Sequence, residues 1–132
     1  MISFSLITKN KREVVDITER VDEACRESAI KSGVCFLFSM HTTTALSVAD
    51  LDPGTDLDML DAFEALIPDI SYRHPHDPSH TPDHILSAIV GTSLLIPVDK
   101  GRVVLGTWQR VVLFEFNGPK ERYFRAAFLR EE

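Results

Sequence analysis

Cysteine is scarce in this chain: Cys25 and Cys35 are the only two among 132 residues. Both fall inside apolar segments, which leaves no disulfide framework and fits two buried thiols in a reducing compartment. Basic residues are outnumbered, 14 Lys and Arg against 20 Asp and Glu, for a net charge of −6. That balance argues against a nucleic-acid groove, which needs a concentrated basic surface. The one basic cluster, Lys9, Lys11 and Arg12, reads as an exposed turn between two strands. No apolar run approaches the ~20 residues of a membrane span. The opening MISFSLITKNKREVVD lacks the basic-then-apolar order of a signal peptide. No repeat or low-complexity tract is present. The expectation is one cytoplasmic domain over residues 1–132, with neither nucleic acid nor membrane as partner.

What is present is alternation and periodicity. Residues 2–8 alternate polar and apolar as a half-buried strand does, and a second strand is expected at 13–17. Asp16 or Thr18 can cap a first helix, with Asp16 and Glu19 at capping-box spacing. Val21, Ala24, Cys25 and Ala29 form its buried stripe and Gly33 its stop. The apolar run 34–40 predicts a central strand covered on both faces. A short strand follows at 45–49. Asp52-Pro53 predicts the start of a second helix, with Leu57, Leu60, Phe63 and Ile67 inward and Pro68 at its end. Residues 69–80 read as loop. Thr81-Pro82 opens a third, short helix carrying Ile85, Ala88 and Ile89, closed by Gly91. Strands are expected at 93–98, 103–109, 111–116 and 122–129, joined by Gly-bearing turns. The pattern is α+β, with a mostly antiparallel or mixed sheet and three short helices.

Chemistry concentrates in the histidines. His74, His76, His80 and His84 fall within eleven residues, and His41 is the fifth. Neutral imidazole is the commonest metal ligand, and an open site needs about three protein ligands. Solvated loop histidines are the alternative. His84 falls in the first turn of the third helix, whose free backbone N–H groups suit a phosphate. His41 emerges from the end of a buried strand, a rigid mount for a site residue. His76 and His80 have no visible anchor. The acidic run Asp50, Asp52, Asp56 and Asp58 fits Mg²⁺ through one or two carboxylates, but helix capping accounts for it more simply. Glu115 shares a strand face with Val111 and Leu113. An inward carboxylate needs a partner: an Arg or His across the sheet, or a neighbouring subunit.

Three stretches carry a family resemblance. SLLIPVDKGRVVLGTWQRVVLFEF, at 93–116, resembles the signature of the YjbQ-like family, often labelled secondary thiamine-phosphate synthase. His41-Thr42-Thr43 is similar to its His-Thr-Thr/Ser motif, and Asp52-Pro53 with Asp58 to its helix start. Tyr72 and His74, then Pro82-Asp83-His84 and Gly91-Thr92-Ser93, resemble its histidine loop and helix. The resemblance spans essentially the whole chain, and Gly106-Thr107-Trp108-Gln109 is its most specific part. The sequence departs from the pattern at Ala49-Asp50-Leu51, in a shorter histidine loop, and at Arg110, where glycine is common.

The resemblance implies a small α+β homotrimer whose pocket gathers His41, His74 and His84 as site residues. Imidazole chemistry makes the same three the expected ligands of a divalent metal, zinc or magnesium. It places Gln109 and Glu115 beside His41 and His84 as catalytic candidates, and Thr42, Thr43 and Trp108 against the substrate. It further implies coupling of a hydroxymethylpyrimidine diphosphate to a thiazole phosphate, so the expected partner is a small phosphorylated substrate. A non-catalytic trimeric module binding a metal or small anion, and a metal-dependent hydrolase, are the alternatives.

Overall fold

The computed structural model describes residues 1–132 and contains eight strands and three helices. β1 (Ile2–Ile7), β2 (Glu13–Asp16), α1 (Thr18–Ser28), β3 (Gly33–Ser39) and β4 (Thr44–Ala49) form the first part of the chain. α2 (Thr55–Leu66) leads through an irregular stretch and a 3-10 turn, Pro78–His80, into α3 (Thr81–Val90). β5 (Ser93–Asp99), β6 (Arg102–Val103), β7 (Arg110–Glu115) and β8 (Glu121–Arg130) complete it. Every strand pair is antiparallel. One five-stranded sheet runs β1-β8-β3-β5-β6, and a three-stranded sheet runs β2-β7-β4.

Local chemistry explains the starts and stops. Asp16 Oδ1 accepts from both the N–H (3.0 Å) and the hydroxyl (2.6 Å) of Thr18, fixing the first turn of α1. The helix ends at Ala29 in the left-handed region, φ 60°, four residues before the glycine expected to stop it. Gly33 has a different job. A Cβ there would lie 1.9 Å from the carbonyl oxygen of Leu129, so only glycine lets β3 lie this close to β8. α2 begins at Thr55 behind Gly54, later than Asp52-Pro53 predicted. Asp50 organises that turn, accepting from Asp52 N–H (3.3 Å) and the Thr55 hydroxyl (3.4 Å). The acidic run is thus helix-start chemistry.

The sheets and helices stack as layers. Between the two sheets, Cys35, Leu37, Ile96, Phe124, Val111 and Leu113 meet Val21 and Cys25 of α1 in the main core. On the far side of the three-stranded sheet, Val112, Phe114 and Phe116 meet Leu86 of α3 and Phe63 of α2 in a second core. The strand buried on both faces is therefore β7, not β3. β3 alternates: Cys35, Leu37 and Ser39 face inward, while Phe36 and Phe38 keep 37% of their surface exposed on the outer sheet face. α3 also turns differently from its expected stripe. Asp83, Leu86 and Ser87 are buried, whereas Ala88 and Ile89 point outward. The expected strand at 103–109 shrinks to Arg102–Val103, with 104–109 outside regular pairing.

Candidate active site

A buried ion pair forms the floor of the site. Glu115, at the end of β7, is wholly buried and accepts from Arg122 Nε at 2.8 Å, Thr8 Oγ1 at 2.7 Å and Asn117 N–H at 3.2 Å. Arg122 Nη2 makes a further, very short bond to the same carboxylate and donates to Thr43 Oγ1 at 2.8 Å. This is the cross-sheet arginine that an inward Glu115 required. The Arg122 side chain is itself buried, yet it lines an open cleft of about 430 Å³, and its Nη1 bonds to no protein atom.

Met40, His41, Thr42, Thr43, His74, His80, His84, Asn117 and Lys120 complete that cleft. Three imidazoles have their tautomers set by backbone bonds. His41 Nε2 accepts the Tyr123 N–H at 2.8 Å, which leaves its proton on Nδ1. Burial, reinforced by the charges of Arg122 and Lys120, holds the His41 pKa below the usual histidine value, so the ring is neutral at pH 7. His74 Nδ1 accepts from His76 N–H (3.3 Å) and Asp77 N–H (3.2 Å), which leaves an Nε2–H donor. His84 Nδ1–H donates to the Thr42 carbonyl at 2.9 Å, which leaves Nε2 with its lone pair. The His74 and His84 rings lie parallel, centroids 5.1 Å apart.

A metal would need a lone pair from each of its imidazole ligands. Only His84 has one free; His41 and His74 have committed theirs to backbone N–H groups. No group of three His, Cys, Asp or Glu side chains converges at ligand spacing. The expected zinc or magnesium ligand set of His41, His74 and His84 therefore shares a cleft without forming a coordination sphere, and the residues as arranged do not fit the ion.

Other expected residues divide cleanly. Thr42, Thr43 and the three histidines are in the cleft, with Glu115 beneath it. His80 lines it as well, with Nε2 3.2 Å from Asp77 Oδ2, although no anchor for it was visible in sequence. His76 is exposed and not among the lining side chains. Gln109 and Trp108 are elsewhere. Gln109 Oε1 closes its own turn by accepting Gly106 N–H at 2.8 Å. Trp108, 72% exposed, borders a separate cleft with Asp16, Asp50, Asp52 and Arg110.

Sequence reasoning missed Arg122, Lys120 and Asn117. The signal for Arg122 was available, because it alternates with Phe124 and Ala126 on the inward face of β8. It also missed the mount of α3. Arg12, expected to be solvated, instead donates to buried Asp83 at 2.8 Å. Burial holds the Asp83 carboxyl above its usual pKa even beside that guanidinium. Ser87 Oγ donates to the Thr44 carbonyl at 2.6 Å, so α3 is pinned to the chain segment that carries His41.

Comparison with known proteins agrees with this architecture. The family model described as "UPF0047 protein YjbQ-like" matches residues 2–131. A UPF0047 protein of Archaeoglobus fulgidus is 36% identical over 122 residues, 92% of this chain and 94% of that one. A crystal structure of a YbjQ-like protein of unknown function from Sulfolobus solfataricus superposes with a TM-score of 0.90 at 30% identity, covering 98% of this chain and 96% of that one. A hypothetical protein of Aeropyrum pernix gives 0.89 at 32% identity, over 98% and 97% of the two chains. The likeness extends through the whole layered fold, and the chain belongs to the YjbQ-like UPF0047 family.

Proposed function

We propose that the protein is an enzyme acting on small phosphorylated substrates, and that its reaction is of the thiamine-phosphate-synthase type. Arg122 carries this reading. A guanidinium with 2% of its surface exposed, bonded to Glu115 through Nε and Nη2 and with Nη1 left unpaired at the floor of a cleft, has a donor to offer an oxyanion. Lys120 adds a second charge, and His41 Nδ1–H and His74 Nε2–H add ring N–H donors. In the proposed coupling, the thiazole nitrogen attacks the pyrimidine methylene and forms a C–N bond. The C–O bond to the diphosphate breaks, and pyrophosphate leaves with its electron pair. No proton moves in that step, so the protein has to supply alignment and donors for the departing charge.

The test is formation of thiamine phosphate from the two phosphorylated precursors by wild type, Arg122→Met and Lys120→Ala. Wild type should turn over, and loss of one preorganised donor should lower the rate on the order of 10²-fold. A folded wild type without product overturns the transferase reading. A lining made mainly of donors also serves plain anion binding. In that case pyrophosphate raises the melting temperature without any turnover.

The same reading includes a homotrimer. It is supported by an unpartnered apolar face, the outer sheet face with Phe36, Phe38, Leu95 and Leu129. An exposed apolar sheet face of this kind suits association into a closed ring, which covers it without leaving a growing edge. Two free, buried thiols, with burial pushing Cys35 up to about 12, support a cytoplasmic setting.

A further inference from the structure

A second cleft of about 530 Å³ adjoins the histidine cleft, and the two share Met40 and His41. Its base is the outer face of β1 and β8, where Ser3, Ser5, Tyr123 and Arg125 lie across two paired strands. A volume of this size suits a small organic ligand. Its most distinctive surface is the Tyr123 ring. The phenol hydroxyl donates to Glu121 Oε1 at 2.6 Å, so the ring is held by its far end. Its near end is held by the backbone, through the N–H bond to His41 Nε2. The two rings lie 6.0 Å apart, 26° from parallel. Tyr123 nonetheless keeps 51% of its surface open. An aromatic ring fixed at both ends with an exposed face is a stacking platform.

We infer that this second cleft is the ring subsite of the same ligand: it takes a neutral, planar nitrogen heteroaromatic, stacked on Tyr123, whose phosphate or diphosphate crosses His41 to reach Arg122 and Lys120. The inference rests on the phosphate reading of the first cleft and adds where the ring of that ligand sits and which side chain holds it. Neutrality follows from Arg125, whose charge disfavours a cationic ring. Planarity follows from the platform, and ring heteroatoms suit the Ser3 hydroxyl along the cleft, Ser5 Oγ being taken by Glu121 Oε2 at 3.1 Å. The linker must be short, because one imidazole separates the two clefts. The substrate contact expected of Trp108 passes to Tyr123.

Calorimetric titration with two probes, without a thiazole partner so that no turnover occurs, separates the two claims. Inorganic pyrophosphate reports the first cleft alone, and hydroxymethylpyrimidine diphosphate reports both. Wild type should bind the second probe more tightly than the first. Tyr123→Ala should lose that advantage, a weakening of roughly 5- to 100-fold for one stacked ring, with pyrophosphate affinity unchanged. Tyr123→Phe should retain it, because the ring stays; circular dichroism checks that each variant folds. If pyrophosphate binds but the pyrimidine adds nothing, the ring subsite is overturned and the phosphate reading stands. If Tyr123→Ala weakens both probes equally, Tyr123 acts through His41 and the subsite is again overturned. A wild type that binds neither probe refutes both claims.

Discussion

Replacing Glu115 by Gln is the sharpest probe of the structure. All four groups bonded to its carboxylate are donors: Arg122 Nε and Nη2, Thr8 Oγ1 and Asn117 N–H. A glutamine keeps one acceptor oxygen and turns an NH₂ toward donors. It also leaves the Arg122 guanidinium, 2% exposed, without its counter-charge. Removing one partner of a buried pair typically costs about 3–5 kcal/mol, against total stabilities of roughly 5–15 kcal/mol. For a domain of this size that corresponds to a melting temperature lower by about 10–20 °C. Urea unfolding followed by circular dichroism gives the free energy directly. The double variant Glu115→Leu with Arg122→Met should recover most of the loss, because apolar replacement of both partners removes the stranded charge. A Glu115→Gln protein within about 1 kcal/mol of wild type would refute the argument, since surface pairs give values of that order.

Three further outcomes are expected. His41→Ala and His84→Ala should lower turnover on the order of 10²-fold while His76→Ala changes it little; equal effects across the three would remove the histidine cleft as the site. By nuclear magnetic resonance, the His41 ring should titrate below 6.5, together with the Tyr123 amide. The unfolded chain then takes that proton first as the pH falls, so the His41 contribution to stability is complete above pH 6.5 and is lost toward the lower folded value. A midpoint at or above 6.5 contradicts the proposed acceptor role of Nε2. Finally, Phe38→Arg on the outer sheet face should yield a folded monomer by light scattering, from a wild type of three times that mass; a monomeric wild type removes the trimer.

The fold class was readable because burial leaves a period. Alternation in 2–8 and 122–129, and the Asp16–Thr18 start of α1, appear in the structure nearly where the pattern placed them. Which face of an element is covered was less readable. An apolar run signals burial without naming what buries it, so residues 34–40 looked two-sided although Phe36 and Phe38 remain open. β7 is the strand enclosed on both faces, yet a charged residue at its end broke the apolar run that would have marked it. The site divides the same way. His41 and His84 were visible from their positions at element ends, and Thr43 from the motif it shares with His41. Arg122 could have been read from its alternation with Phe124 and Ala126, but its contact with Thr43, 79 residues away, lies in no local window. Trp108 and Gln109 stood out by residue type and motif, but the turn at 104–109 carries them to another part of the surface.

The double enclosure of β7 gives the cleft two walls of unequal stiffness. Opening β7 would expose both cores at once, so Glu115 and the arginine it holds sit on the part of the molecule whose amides should exchange slowest with solvent. The opposite wall, residues 67–80 with His74 and His80, buries no side chain fully and has little regular structure. Any adjustment to an incoming ligand then falls on that side, as a soft jaw closing against a fixed anvil. Hydrogen exchange on binding should slow in 67–80 and stay unchanged in 110–116.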